Sequence, residues 1–482
     1  MEVTLIAANV LGVVLLVLRR PGRTRWLLAV PAVAAVQILA EGPRWQMVPA
    51  YAVAVAVPAA ATLRPRTGRP ARLGAGAVGL VVLAASVALP VLVPVFRFPA
   101  PTGPYGIGTV TYHWVDATRP EPFTAAPDDH REIMAQVWYP ATPAAGDTRA
   151  PYLEDADAVT PVLGRLTGLP SFLLRHFRYV TTNAVEGAPV AGRTEAYPVL
   201  VFVSGLYGFR SVSTFQIQEL VSRGYVVVGL DQPGVVATVR FPDGHQVDNL
   251  PFEKMDPLVD QSVEARPAAP ELNGVPRPAG LVPFFAEDVR LTLDRLALVN
   301  AGDPYHRLAG RLDLDRTGVF GVSLGGRIAA ESCLRDSRLK ACLVMDDPVP
   351  AGVAAAGLRQ PTMFLTRDAA TMRLERERSG GWSEHDIAVT LGAMRTAFTK
   401  LSGGGYYVEI PGLFHVNFTD LPYWLPPSEQ FGLSGPIGGR RGFAVVNAYT
   451  TAFFDEALRG RTSPVLSEPI RGTVVETRGR SH

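Results

Sequence analysis

The sequence predicts an α/β domain, with a mostly parallel sheet and helices on both faces, preceded by an α-helical membrane domain. Three observations lead to this fold class. Residues 1–98 consist of apolar stretches separated by arginine clusters. After them, short β-rich runs alternate with helical patterns, which is typical of a parallel α/β sheet. Within that second part, residues 316–331 have the pattern of an apolar strand, a glycine-containing turn and a helix.

Composition sets the outer limits of function. The chain has 482 residues, more than one ordinary domain, and only 19% of them are charged. A net charge of +2, with no basic patch interleaved with aromatic residues, argues against nucleic acid as a partner. The two cysteines, Cys333 and Cys342, have no metal-type spacing. They are interpreted as small core residues, although an extracytoplasmic location would permit a disulfide between them.

The N-terminal part predicts membrane spans. Four stretches carry no charge in their interior, where one charge would cost about 2.5–3.5 kcal/mol on insertion scales. The first two are short against the roughly 20 residues that cross a bilayer, so three spans are the alternative, and four are expected. A signal peptide is the alternative for the first stretch, but its arginines follow the apolar run. The candidate spans are Val3–Leu18, Trp26–Ala40, Trp45–Leu63 and Leu73–Phe96.

Arginine placement predicts orientation. Four arginines lie in the first connection and four in the third, against Arg44 alone in the second. By the positive-inside rule, the first and third connections are cytoplasmic and both chain ends are outside. Residues 99–482 are then an extracytoplasmic domain of a multi-pass cell-membrane protein, joined by the proline-rich connector Phe98–Pro104. The arginines are Arg19, Arg20, Arg23, Arg25, Arg64, Arg66, Arg69 and Arg72.

The second part contains seven candidate strands and one clear amphipathic helix. Two opening strands are expected to pair, and the five later runs are apolar enough for a sheet buried on both faces. A helical stripe of five apolar residues precedes the glycine-containing turn. The polar, proline-rich segment 241–283 fits neither period and is interpreted as a surface insertion or part of a lid. The strands are Ile107–His113, Ile133–Tyr139, Val199–Val203, Val226–Leu230, Gly318–Phe320, Cys342–Met345 and Thr362–Leu365, and the stripe is Phe285, Val289, Leu293, Leu296 and Val299.

The turn within residues 316–331 has the sequence G-x-S-x-G and predicts a nucleophile elbow. Gly321 and Gly325 remove side chains where strand and helix crowd together, and Ser323 would project from the top of the sheet. The amide of Leu324, at the start of the helix, would face an oxygen that becomes negative when an ester carbonyl is attacked. The fold expected around such a turn is that of the α/β-hydrolases.

A serine nucleophile needs a base and an orienting acid, which follow it along the chain in α/β-hydrolases. Of the three later histidines, His482 is terminal and His385 lies in a charged helical stretch, whereas His415 follows the strand-like run Tyr406–Ile410. His415 is therefore the expected base. For the acid, Asp346 and Asp347 end one strand and Asp368 follows the next, and spacing alone does not choose between these strands.

The second oxyanion donor is expected from another strand-to-turn segment. Residues 197–210 form an apolar strand that ends in a turn with glycines at 205 and 208. The amide of Leu206 in this turn could face Ser323; an ordinary β-turn is the alternative reading.

Four segments, in order, resemble motifs of the platelet-activating-factor acetylhydrolase family. Tyr197–Arg210 is similar to its Y-P-hydrophobic-F-S-H-G-L-G-x-F-R segment, and Gly321–Gly326 to its G-H-S-[FL]-G-G elbow. Leu343–Asp346 is similar to the strand ending in Leu-Asp, and His415–Asp420 to the H-x-N-F-x-D loop. The Gly103–Tyr105 start and the Val137–Pro140 strand also resemble bacterial members, so the resemblance spans about 103–460.

The resemblance implies a metal-free, cofactor-free serine esterase of lipase-like fold. It implies Ser323 as nucleophile, Asp346 as acid, His415 as base, and the Leu206 and Leu324 amides as oxyanion hole. Ester-linked lipids with short or truncated acyl chains are the implied substrates; other small or polymeric esters, or a catalytically silent binding module, are the alternatives. Two family histidines are replaced here, by Ser204 and Val322. Both lie beside the expected site and neither belongs to the triad.

Overall fold

A computed structural model describes residues 1–17, 27, 29–62, 69–124, 126, 128–192 and 195–480. The strands are β1 Gly106–Pro120, β2 His130–Ala141, β3 Arg149–Pro151, β4 Thr181–Glu186, β5 Tyr197–Val203, β6 Val226–Asp231, β7 Thr238–Arg240, β8 Gln246–Asp248, β9 Glu271–Leu272, β10 Val275–Pro276, β11 Leu312–Val322, β12 Leu339–Met345, β13 Thr362–Thr366, β14 Gly405–Glu409 and β15 Val474–Arg478.

The helices of the same residues are α1 Glu2–Val17, α2 Ala29–Glu41, α3 Val48–Thr62, α4 Arg69–Leu92, α5 Ala156–Thr167, α6 Thr214–Ser222, α7 Phe252–Asp260, α8 Val282–Ala301, α9 Leu324–Arg335, α10 Ala351–Ala356, α11 Ala369–Ser379, α12 Glu384–Thr399, α13 Leu421–Trp424, α14 Gly439–Arg459 and α15 Pro464–Ser467. Short 3-10 turns lie at Trp45–Met47, Ser171–Tyr179, His415–Phe418 and Pro426–Ser428.

In the described part of the chain, eleven strands form one sheet in the order β15-β14-β13-β12-β11-β5-β6-β2-β1-β4-β3. The run from β14 to β6 is parallel. The predicted opening strands pair with each other in antiparallel fashion as β1 and β2. All seven strand predictions fall on observed strands, and the α/β class is confirmed. Because the central strands are parallel, the carboxyl ends of β5, β11, β12, β13 and β14 share one edge, where ligands bind in such sheets.

Each sheet face is covered by its own hydrophobic cluster. Val199, Val201 and Val203 face the cluster that contains α8 and α9, and Leu200 and Phe202 face the cluster that contains α6 and α14. Successive side chains of a strand point to opposite faces of the sheet. Because both faces are covered, β5 has no polar face. The predicted stripe on α8 is fully confirmed, since its five apolar residues are all buried.

The predicted membrane domain requires correction. Within the described residues, no helix combines the length and apolar character needed to cross a bilayer. Over the described residues, three of the four predicted spans form helices of 16, 13 and 15 residues (α1, α2 and α3), short of the roughly 20 required. The placement as a multi-pass cell-membrane protein with an extracytoplasmic domain is therefore wrong. The orientation prediction rested largely on arginines between 18 and 26 and between 63 and 68, which lie outside the described residues.

The N-terminal helices contact the α/β part through the segment after α2. The indole Nε1 of Trp45 donates to the Leu173 carbonyl at 3.1 Å, and the Tyr179 hydroxyl donates to the Pro43 carbonyl at 3.1 Å. The chain then enters the α/β part through Phe96 and Phe98, which are buried in the aromatic cluster around Tyr152. The connector is thus packed against the domain, and a division at 98/99 stays a prediction.

The 241–283 insertion contains regular elements. It holds β8, which pairs with β7, the helix α7 and the β9–β10 hairpin. Arg327 of α9 ties this segment to the elbow helix, since its Nη1 donates to the Val259 carbonyl at 3.1 Å and to the Asp260 carboxylate at 2.8 Å. The insertion also accepts a hydrogen bond from the Tyr207 hydroxyl through the Leu250 carbonyl, at 2.8 Å.

Candidate active site

Ser323 occupies a sharp turn between β11 and α9. Its backbone has φ 57° and ψ −134°, a conformation that non-glycine residues rarely adopt and that functional sites often hold. A Cβ at Gly321 would lie 2.2 Å from the Gly325 carbonyl, and one at Gly325 would lie 2.1 Å from the Val203 carbonyl. The two glycines therefore permit the close approach of α9 to the sheet, as expected for a nucleophile elbow.

His415 and Asp346 come together at the same sheet edge. Asp346 follows β12 directly, and His415 begins the 3-10 turn after β14. The ring Nδ1 of His415 lies 2.7 Å from the Asp346 Oδ2 atom. A carboxylate at Nδ1 accepts the proton there and leaves Nε2 free to act as a base. Asp346 is fully buried, whereas the His415 side chain is 24% exposed.

Asp346 is held by three further contacts. Arg367 Nε lies 2.9 Å from Oδ2 and 3.1 Å from Oδ1, and the Thr366 hydroxyl donates to Oδ1 at 3.0 Å. Burial alone would raise the pKa of Asp346, but the Arg367 charge and the His415 contact outweigh burial. The pKa is lowered to about 2, so the carboxylate stays ionised at neutral pH.

The other candidate acids have different partners. Asp368 caps α11, because its side chain accepts the Thr371 amide at 3.1 Å. Asp347 forms an ion pair with Arg327 at 2.9 Å, and burial raises its pKa. Neither carboxylate has a hydrogen bond to His415 in the described part of the molecule.

The turn after β5 lies against Ser323. A Cβ on Gly205 would lie 3.0 Å from the Ser323 Cβ and 3.6 Å from its hydroxyl oxygen. The next amides of this turn are used, since Tyr207 donates to the Val235 carbonyl and Gly208 to the Gly205 carbonyl. The Leu206 and Leu324 amides, in contrast, have no acceptor among the described residues. Two unpaired amides beside a serine are what an oxyanion hole needs.

Ser323 and His415 do not form a hydrogen bond across the described residues. Such contacts are often long without substrate and tighten when substrate binds. The structure thus joins His415 to Asp346 and brings the Leu206 turn against Ser323, while the contact between Ser323 and His415 stays a prediction.

Two polar residues of the histidine loop have structural partners. The Asn417 Oδ1 atom accepts the Phe414 and Gly435 amides, both at 2.8 Å. Asp420 accepts the Thr214 and Phe215 amides at the start of α6, at 2.7 and 2.9 Å. The loop that carries His415 is thus tied to the helix that follows the Leu206 turn.

Sequence reasoning missed three residues around His415. Arg367 is completely buried and contacts Asp346, Glu375 accepts the His415 backbone amide at 3.2 Å, and the Trp382 ring lies 5.2 Å from the imidazole. A signal existed for Arg367, since this cation lies two residues beyond the apolar run Thr362–Leu365, which predicts a buried strand. Glu375 and Trp382 carried no such signal, because they are distant from the motifs along the chain.

The other candidate residues lie elsewhere. His385 is exposed and forms an ion pair with Glu264 at 2.8 Å, and His482 lies outside the described residues. Cys333 and Cys342 are buried and not joined by a disulfide. No cluster of three or more His, Cys, Asp or Glu side chains suited to a metal ion occurs among residues that the structure describes.

Comparison with known proteins supports the same chemistry. Residues 94–242 match the model of the family described as platelet-activating factor acetylhydrolase, isoform II. That match includes the Leu206 turn and stops before Ser323. A platelet-activating factor acetylhydrolase of Gallus gallus is 20% identical over 383 residues, covering 75% of this chain and 84% of the relative. One of Cavia porcellus is 21% identical over 337 residues, covering 64% of this chain and 68% of the relative.

A solved structure extends the comparison. The ferulic acid esterase of Streptomyces cinnamoneus superposes with a TM-score of 0.59 at 28% identity, covering 79% of this chain and 99% of that one. Fold, family match and esterase neighbour together make this protein a carboxylic ester hydrolase of the serine type, with the α/β-hydrolase fold. Within that class it is a hydrolase similar to the platelet-activating factor acetylhydrolases. The alternative of a catalytically silent module is set aside.

Proposed function

We propose that the protein cleaves carboxylic esters through Ser323, His415 and Asp346, with short or truncated acyl esters of phospholipids or similar lipids as substrates. The observation that carries the proposal is the 2.7 Å contact between His415 Nδ1 and the buried Asp346 carboxylate, at the edge where Ser323 leaves β11. The strained serine backbone and the two unpaired amides support it.

The chemistry follows from these atoms. The Ser323 hydroxyl attacks the ester carbonyl while His415 Nε2 takes its proton. The amides of Leu206 and Leu324 donate to the oxyanion of the tetrahedral intermediate. The imidazolium, stabilised by Asp346, then returns the proton to the leaving alcohol, and an acyl group remains on Ser323. A water molecule, deprotonated by His415, releases the acid in a second passage through the same steps.

The two acetylhydrolase relatives support the proposed substrate class. They are only 20% and 21% identical to this chain, and a second candidate function is considered because of the solved esterase structure. The Streptomyces cinnamoneus neighbour is a ferulic acid esterase, it is more similar in sequence, and nearly its whole length is covered. An esterase for other small or polymeric esters, such as an aromatic acyl ester, is therefore the alternative.

A substrate panel with the full-length protein separates the two. The panel contains a phospholipid with a two-carbon acyl chain, the same phospholipid with a long acyl chain, and a small feruloyl ester. We expect the highest kcat/KM on the short-chain phospholipid. A preference of tenfold or more for the feruloyl ester would favour the second candidate. A serine-directed phosphonate should label Ser323, as read by peptide mass spectrometry, and labelling of another serine with loss of activity would overturn the assignment of the nucleophile.

A further inference from the structure

A buried cation adjoins the proposed catalytic pair. Arg367 follows β13 at the sheet edge, and its side chain has no exposed surface. Its Nε atom contacts both carboxylate oxygens of Asp346, at 2.9 and 3.1 Å. Burying a guanidinium costs free energy unless carboxylates compensate its charge. Its position beside Asp346, the proposed acid, therefore indicates a role in the site.

Arg367 is connected to His415 from two sides. Through Asp346 it reaches the imidazole Nδ1 atom. Its second ion pair is with Glu375 of α11, whose carboxylate accepts the His415 backbone amide at 3.2 Å. Trp382 covers the guanidinium with its ring centroid 4.3 Å from the central carbon, and the same ring packs edge-on against the imidazole. The four side chains form one unit around the base.

The charges of this unit act on His415 in opposite senses. Asp346 and Glu375 attract positive charge at the imidazole, and Arg367 repels it. The neighbouring carboxylates are accounted for separately, because Asp347 is paired with Arg327 and Asp368 caps α11 beside Arg367. Tyr407, the remaining titratable group near Asp346, is buried, and its pKa is raised above its usual value, mainly by burial, so it is neutral. Arg367 is thus the cation that balances two carboxylates around the base.

We propose that Arg367, held by Glu375 and covered by Trp382, is a positioning residue that fixes Asp346 and the backbone of His415 and thereby sets the acidic limit of esterase activity. This inference rests on the proposed function, because it takes His415 as the base. Its effect is exerted through Asp346 and Glu375, and Arg367 itself does not touch the reacting atoms.

The test is the pH dependence of kcat/KM on a neutral naphthyl ester. Removing the cation in Arg367→Met should move the acidic limb up by about one pH unit, since a charge within about 4–6 Å shifts a pKa by that order. Arg367→Lys keeps the charge but loses the planar guanidinium, so the limb should stay closer to the wild type than in Arg367→Met. Glu375→Gln removes a carboxylate and should move the limb down. Arg373→Met is the matched control. Arg373 is an exposed arginine on α11, the helix that carries Glu375, and its replacement should leave the pH profile unchanged.

The outcomes separate this inference from the proposed function. A folded Arg367→Met protein that loses activity without a shift of the limb would show a structural role only and overturn the inference. Shifts in the same direction for Arg367→Met and Glu375→Gln would also overturn it. If Arg367→Met does not fold, the Lys variant and Glu375→Gln decide, and an unmoved limb in Glu375→Gln contradicts the proposal. If His415→Ala keeps near-normal activity, the triad itself is wrong and the inference falls with it.

Discussion

Asp346→Asn is the most informative single change, because it removes one charge from a buried network and keeps its shape. Asp346 accepts contacts from His415, Arg367 and Thr366, all between 2.7 and 3.1 Å. An asparagine carries no negative charge to stabilise the imidazolium, and its amide can hold the ring in the wrong tautomer. In the well-studied serine hydrolase case this costs about 10⁴-fold in kcat, or about 5.5 kcal/mol of transition-state stabilisation.

The same change leaves the Arg367 cation with less compensation. Its remaining carboxylate partner is Glu375, so we expect a loss of folding stability of about 3 kcal/mol as well, the usual effect of breaking a buried pair. Kinetics on a short ester and denaturant unfolding measure the two effects separately. The matched control is Asp368→Asn. Asp368 caps α11, and asparagine is an equally good cap, so activity and stability should stay near the wild type.

The opposite pattern would refute this reasoning. An active Asp346→Asn protein together with an inactive, folded Asp368→Asn protein would move the acid to the end of β13. It would also mean that the 2.7 Å contact with His415 is structural. Loss of activity in both variants, with both folded, would instead show that the assay responds to the whole edge of the sheet and does not identify an acid.

Three further predictions follow from the same atoms. Ser323→Ala and His415→Ala should each lower kcat by about 10⁴-fold or more with an unchanged melting temperature, because the members of a triad act as a unit; near-normal turnover in either contradicts the triad. Gly205→Ala places a Cβ 3.0 Å from that of Ser323, so kcat should fall by up to about a hundredfold while circular dichroism stays native; unchanged kcat would mean that the turn is remote from the reacting atoms. The pKa of Asp346 is lowered to about 2 from 3.8, so its ionisation contributes about 2 kcal/mol of stability above pH 4 that is lost as the pH falls from about 4 to 2; unfolding in denaturant at pH 5, 4 and 3 should show this slope in the wild type and less of it in Asp346→Asn.

The α/β fold could be predicted because buried parallel strands have a simple signature. Runs such as Val199–Val203 are apolar on both sides, and the structure buries every residue of β5. The apolar stripe on α8 could also be predicted, because one face of that helix packs against the sheet and is apolar at helical spacing. The prediction of membrane spans from the N-terminal segments failed because apolar composition alone does not give helix length, and no helix of the described residues has both the length and the apolar character of a span.

The site was only partly readable from the sequence. The elbow is a local motif, so strand, turn and helix around Ser323 could be recognised within 16 residues. Asp346 and Asp368 both follow apolar strands, so the local sequence does not distinguish them. The choice depends on which of the two carboxylates lies next to His415, some 50 to 70 positions later in the chain. Arg367 was missed for a related reason. Its countercharges, Asp346 and Glu375, lie on other elements, and the pairing appears only when β12, β13 and α11 meet.

Two buried aspartates, Asp346 and Asp420, show that the surroundings of a residue and not its type assign its role. Asp346 and Asp420 both have zero exposure, and both are carboxyl groups removed from water. Burial raises the pKa of Asp420 well above its usual value, because its partners are backbone amides and hydroxyls without a cation. Arg367 reverses the direction at Asp346. A carboxylate that stays ionised beside an imidazole can stabilise a proton there, whereas one held by the start of α6 fixes a loop, so the buried arginine is what keeps Asp346 ionised beside His415.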